Sequence, residues 1–179
     1  LRYGRRKSPD ERLMRRLQLG RVEVIHIPGG FFRLDGGTMF GVVPKTLWQK
    51  QAEADERNRV RLACNCLLVR TPDALVLVDS GFGERLDERA KDIYGVEDGP
   101  SLRSSLAQAN IAPEDIDLVV FTHLHFDHLA GSLYEQEGEL KAIFPRAIHC
   151  IQRGELRDAL AGRSTMKNSY QPADLRAIE

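Results

Sequence analysis

The segment Phe121-Thr122-His123-Leu124-His125-Phe126-Asp127-His128 sets three imidazoles and a carboxylate within six consecutive positions. It completes an apolar run, residues 116–121, that reads as a buried strand. Side chains two apart on extended backbone face the same way, so His123 and His125 can converge on one ion as the strand ends. The turn that must follow can bring Asp127 and His128 to a second ion beside the first. Nitrogen and carboxylate donors without thiolate suit zinc best, and manganese, cobalt or iron accept the same set. The competing reading is a histidine-rich helix start, with His125 and His128, or His123 and Asp127, as neighbours at helical spacing. Four such groups packed behind an apolar strand without an ion would be costly unpaired polar groups, which favours the metal reading.

Other chemistry-bearing residues are weaker candidates. The run Leu75–Val78 reads as a strand leading into Asp79-Ser80-Gly81-Phe82-Gly83. A carboxylate at a strand end, followed by glycines, suits a group that faces a site. It suits equally well a cap on the next helix, expected over residues 84–91. His26 and His149 each lie inside a short strand and are assigned to structure. Cys64 and Cys66 share one face of a strand over residues 61–70 and read as core, not as a metal pair. Three cysteines without framework spacing point to a reduced compartment. Trp48 either anchors a polar helical segment or lines a pocket, and the sequence favours the anchor.

The elements that would position these groups follow from the pattern. A strand over residues 22–27 is expected to end at Pro28-Gly29-Gly30, and Asp35-Gly36-Gly37 to turn a hairpin or looped edge over residues 31–43. Thr71-Pro72-Asp73 turns the chain between the strands 61–70 and 75–78. A helix over residues 101–109, capped by Ser101, precedes the histidine strand, so strand, helix, strand implies parallel pairing through a right-handed crossover. Residues 135–139 read as an acidic loop, 147–151 as a strand and 153–160 as a helix. Residues 10–19 have the spacing of a short amphipathic helix. Residues 169–179 show no element that closes a domain.

Composition bounds the reading. The 179 residues are 42% hydrophobic and 29% charged, enough for about one domain with a sizeable core. No apolar run approaches the roughly 20 residues that cross a bilayer, and no secretion signal is visible, so a cytoplasmic location without membrane attachment is expected. Net charge is zero, but residues 1–21 carry a surplus of basic groups. They are assigned to a basic N-terminal extension, and residues 22–179 to an incomplete domain. Nothing beyond that extension suggests nucleic acid.

The HxHxDH run at His123, His125, Asp127 and His128 resembles the metallo-β-lactamase superfamily of metal-dependent hydrolases. The stretch Leu34-Asp35-Gly36-Gly37-Thr38-Met39-Phe40-Gly41-Val42-Val43-Pro44-Lys45, residues 58–62, Val78-Asp79-Ser80-Gly81 and Phe144-Pro145-Arg146-Ala147 are similar to its branch of quorum-quenching N-acyl homoserine lactonases and methyl parathion hydrolases. The resemblance implies an α/β fold, here the N-terminal half and the start of the second half of a four-layer αββα sandwich. It implies two divalent ions, zinc by preference, with His123 and His125 on one, Asp127 and His128 on the other, and Asp79 supporting the site from behind. It also implies a later histidine, a bridging aspartate and a final histidine, all of which would fall beyond Glu179. Weak metal binding and little turnover are therefore expected of this chain by itself.

The implied activity is opening of a lactone or related carboxylic ester by a metal-bound hydroxide, with Asp127 as ligand and proton shuttle to the leaving oxygen. Two alternatives accompany it: a phosphotriester or other ester hydrolase on the same ions, and a non-catalytic fragment. The expected partner is a small ester or lactone, and an exposed sheet face would favour homo-oligomers.

Overall fold

A computed structural model describes residues 14–178. Its centre is a six-stranded sheet in the order β1-β2-β3-β4-β5-β8. The strands are β1 (Arg16–Leu19), β2 (Val22–Asp35), β3 (Arg59–Arg70), β4 (Leu75–Val78), β5 (Leu118–Val120) and β8 (Ile148–Cys150). The first four pair antiparallel, whereas β4, β5 and β8 pair parallel. The parallel pairing matches the expected strand-helix-strand crossover, through α4 (Leu102–Gln108). Ser101 caps α4 by accepting the Ser104 N–H, and Ser104 returns the bond to the Ser101 N–H.

Helices α4, α5 (Phe126–Leu129), α6 (Arg153–Leu160) and α7 (Pro172–Ile178) send apolar residues into one core. That core takes Ile25, Ile27, Leu68, Leu77 and Val119 from one face of the sheet, all fully buried. A second, smaller cluster gathers Phe32, Cys64, Phe82 and Phe126, with Leu34, Leu62 and Tyr94 against it. The architecture is one αβ half of an αββα sandwich, as the resemblance implied. No helix among the described residues is long and apolar enough to cross a membrane.

Several local expectations are corrected. Pro28-Gly29-Gly30 does not end β2: the register shifts between Pro28 and Phe31, and pairing with β3 resumes to Asp35. Asp35-Gly36-Gly37 opens a short helix, α1 (Gly36–Phe40), because the Asp35 carboxylate accepts the Thr38 N–H. The helix expected over 84–91 is α3 (Glu88–Ile93), capped by Asp87. Residues 135–139 are a hairpin of β6 (Leu133–Gln136) and β7 (Glu139–Ala142), turned at Glu137 and Gly138 with φ of 56° and 81°. Residues 16–19 are a strand on β2, and so part of the sheet, where a helix over 10–19 was expected; residues 10–13 lie outside the described residues. The C-terminal stretch does carry a packed element, α7, whose Leu175 enters the core and whose Asp174 meets Arg85 at 2.6 Å.

Candidate metal centre

The histidine segment leaves the end of β5 and alternates its side chains between two destinations. Leu124 is fully buried in the main core, and Phe126 is 4% exposed in the aromatic cluster, against Tyr94 and Phe32 at ring-centroid distances of 4.7 and 5.8 Å. Both apolar residues are pinned, so His123, His125, Asp127 and His128 are turned out together into one cleft of about 920 Å³. Its other walls include Leu34, Thr38, Met39, Leu62 and residues 165–169.

Within the cleft the three rings pack closely. The His123 centroid lies 4.4 Å from that of His125 and 3.9 Å from that of His128. His128 stands between two carboxylates, with Nδ1 at 2.8 Å from Asp79 Oδ2 and Nε2 at 3.4 Å from Asp127 Oδ2. Asp79 sits at the end of β4 with a left-handed φ of 57°. That conformation costs a non-glycine residue about 1–2 kcal/mol, and three hydrogen bonds from Thr122 and His128 offset it. Its carboxylate accepts the Thr122 N–H, the Thr122 hydroxyl and His128 Nδ1, each at 2.8 Å. Asp79 thus faces the site and caps no helix. Its partner Thr122 belongs to the site as well, although nothing in its own sequence signal sets it apart from any threonine beside a strand.

This network assigns the ring tautomers. The Thr122 hydroxyl spends its proton on Asp79, so it can only accept from His123 Nδ1, 3.1 Å away. His123 then presents a bare Nε2 to the cleft. Burial lowers the pKa of His123 and, against the pull of Asp127 and Glu155, that of His125, which keeps both rings neutral and ligand-ready. Burial also opposes charge on His128, but hydrogen bonds to Asp127 and Asp79 outweigh it and push the value up to about 9. Asp79 and Asp127 resist burial in turn, held below the usual carboxylate range mainly by the His128 hydrogen bond.

Among the described residues no group of three or more His, Cys, Asp or Glu side chains stands in finished ligand geometry. The donor chemistry nonetheless fits a divalent ion. Imidazole and carboxylate groups gather in one cleft, and Asp79 holds His128 in the way that a carboxylate orients a metal-ligating histidine.

The remaining candidates stay apart. His149 stacks on Phe121 at 6.1 Å on the core side of β8, and His26 Nε2 bonds Asn65 Oδ1 at 2.8 Å across β2 and β3. Cys64 and Cys66 are buried, and burial raises their thiols, Cys64 to about 12. Trp48, at the end of α2 (Lys45–Trp48), is an anchor: it is buried, stacks on Phe40 at 4.9 Å, and would collide with a side chain at Gly36.

Comparison with known proteins agrees with the fold. Residues 59–138 match the profile described as Metallo-beta-lactamase superfamily. A probable metallo-hydrolase of Mycobacterium bovis is 31% identical over 112 residues, which cover 58% of this chain and 36% of that protein. A probable metal-dependent hydrolase from Staphylococcus aureus is 38% identical with a TM-score of 0.79, over 88% of this chain and 56% of that one. AidC, a dizinc quorum-quenching lactonase, is 25% identical with a TM-score of 0.67, over 92% and 57% of the two chains. The chain thus spans about half the length of the structural relatives, and less of the curated one. By fold, by the profile match over residues 59–138 and by its HxHxDH segment, the chain resembles the metallo-β-lactamase superfamily.

Proposed function

We propose that this chain carries the first part of the metal site of a hydrolase that opens lactones or related carboxylic esters with an activated water. The observation that carries this is the gathering of His123, His125, Asp127 and His128 in one cleft that Leu34, Met39, Leu62 and Phe126 also line. The fold shared with a dizinc lactonase supports the substrate class. His123 and His125 would hold one ion, and Asp127 and His128 the second. Two bound divalent ions, zinc by donor preference, supply a water that ionises near neutral pH and a positive charge to polarise the ester carbonyl.

The chain's own residues do the rest. Asp79 keeps His128 Nδ1 occupied, so only its Nε2 can face the ion. Asp127, which lines the cleft, takes the proton released on attack and returns it to the leaving oxygen. Leu34, Met39, Leu62 and Phe126 form an apolar wall that suits an alkyl chain and keeps bulk water off the ester.

The test assays this sequence, alone and within a chain of its relatives' full length, against an N-acyl homoserine lactone and an aryl phosphotriester. Faster lactone opening supports the reading, with Asp127→Asn lowering kcat by about 100-fold or more and KM little. Preferential phosphotriester cleavage, or an unaltered kcat in Asp127→Asn, contradicts it.

A further inference from the structure

The ligand segment is held at one more point, from a part of the chain that follows it in sequence. Glu155, in the first turn of α6, accepts the backbone N–H of Leu124 through Oε1 at 2.9 Å. Leu124 is the residue between His123 and His125. The same oxygen accepts the Tyr170 hydroxyl at 3.0 Å. The Tyr170 ring in turn stands edge-on to the His125 imidazole, with centroids 4.7 Å apart and planes at 86°. One carboxylate oxygen therefore ties the backbone between two histidines to a phenol that abuts the second.

These contacts are not needed by the helix that bears Glu155. Gln152 already caps α6 by accepting the Glu155 N–H at 2.7 Å, which leaves the Glu155 carboxylate free for other work. Nor does Leu124 have a ladder partner, since β5 has ended at Val120 and α5 begins at Phe126. Its side chain is fully buried, and an unpaired N–H there would carry the penalty of a desolvated donor. A carboxylate makes the stronger, charge-assisted form of that bond.

We propose that Glu155 and Tyr170 are positioning residues that fix the spacing and facing of His123 and His125, and so set how firmly that pair grips a divalent ion. The proposal rests on the metal-site reading above, and two measurements separate the fates of the two.

The first is made on the metal-free chain: hydrogen exchange of the Leu124 amide and the NMR signals of the His125 ring. Glu155→Ala speeds Leu124 exchange at least about tenfold and moves the His125 signals, as loss of a buried protecting bond requires. Glu155→Gln, whose amide oxygen still accepts, stays close to the parent. Tyr170→Leu keeps Glu155 and moves the His125 signals with little effect on Leu124, which holds the proposal open to test if Glu155→Ala fails to fold. The second measurement is cobalt(II) titration followed by visible absorption. Glu155→Ala weakens binding by about 10–100-fold and alters the spectrum, the range for residues that orient metal ligands, and Glu155→Gln restores most of both.

Parent-like Leu124 exchange in Glu155→Ala overturns the proposal, as does faster exchange with unchanged cobalt affinity and spectrum. A parent chain that takes up no cobalt contradicts the metal reading, and the exchange and ring signals then decide alone whether Glu155 and Tyr170 fix the histidines.

Discussion

The two faces of the six-stranded sheet are built from similar residues and meet different surroundings. On one, Ile25, Leu68, Leu77 and Val119 lie fully buried under α4, α5, α6 and α7. On the other, Val24, Val69, Val76, Val78, Leu118 and Val120 are half-buried, while Leu67 and Ile148 are 39% and 67% exposed. Among the described residues no helix covers this second face. Near-continuous apolar strands such as Leu75–Val78 and Leu118–Val120 are the mark of a sheet meant to be covered on both sides. In an αββα sandwich the helix-free face is where the other sheet lies, about 10 Å away. The histidine segment is thus secured from the helical side, where Leu124 and Phe126 are buried, and from the end of β4, where Asp79 accepts from Thr122 and His128.

Substitutions can break that comparison, beginning with the largest effect. Leu77→Ala, on the covered face, should cost about 2–5 kcal/mol in urea unfolding. A loss below 1 kcal/mol would mean that the helices do not define the core. Asp79→Asn keeps the side-chain shape but weakens the acceptor for Thr122 and His128. A cost of about 1–3 kcal/mol is expected, read by the same unfolding.

A smaller effect sharpens the picture through pH. His128 has a folded-state value of about 9 against an ordinary 6.5. A raised value means that the folded metal-free chain binds the proton more tightly than the unfolded one. The contribution is fully present below pH 6.5 and is lost as pH rises through 9. His128→Gln should flatten the stability profile across that window, and an unchanged profile would separate His128 from its two carboxylates. Smallest of all, Leu67→Thr on the uncovered face should change stability by no more than about 0.5 kcal/mol. A cost equal to that of Leu77→Ala would show that the face is covered after all.

What the sequence made legible was local. The HxHxDH run, the Ser101 cap and the helix Arg153–Leu160 each depend on neighbours a few residues away. Distant pairing overrode the local signal at β1 and β2, and local caps at Asp35 and Asp87 moved the starts of α1 and α3. Pro28-Gly29-Gly30 looks like a stop, yet a bulge lets β2 continue because β3 is there to pair with it. The β6–β7 turn uses Glu137 at positive φ, where asparagine or aspartate would have announced a hairpin. Thr122, Glu155 and Tyr170 bear on the site through contacts that no spacing rule carries, since the fold alone brings α6 and the α7 approach against Leu124 and His125.

The central claim is that His123, His125, Asp127 and His128 act together as ligands. Zinc titration by isothermal calorimetry, on the parent chain and on His125→Ala and His128→Ala, tests it most directly. Measurable uptake by the parent, weakened at least about tenfold in each variant, is the expected result. Uptake that ignores both substitutions, or no uptake by the parent at all, would contradict it.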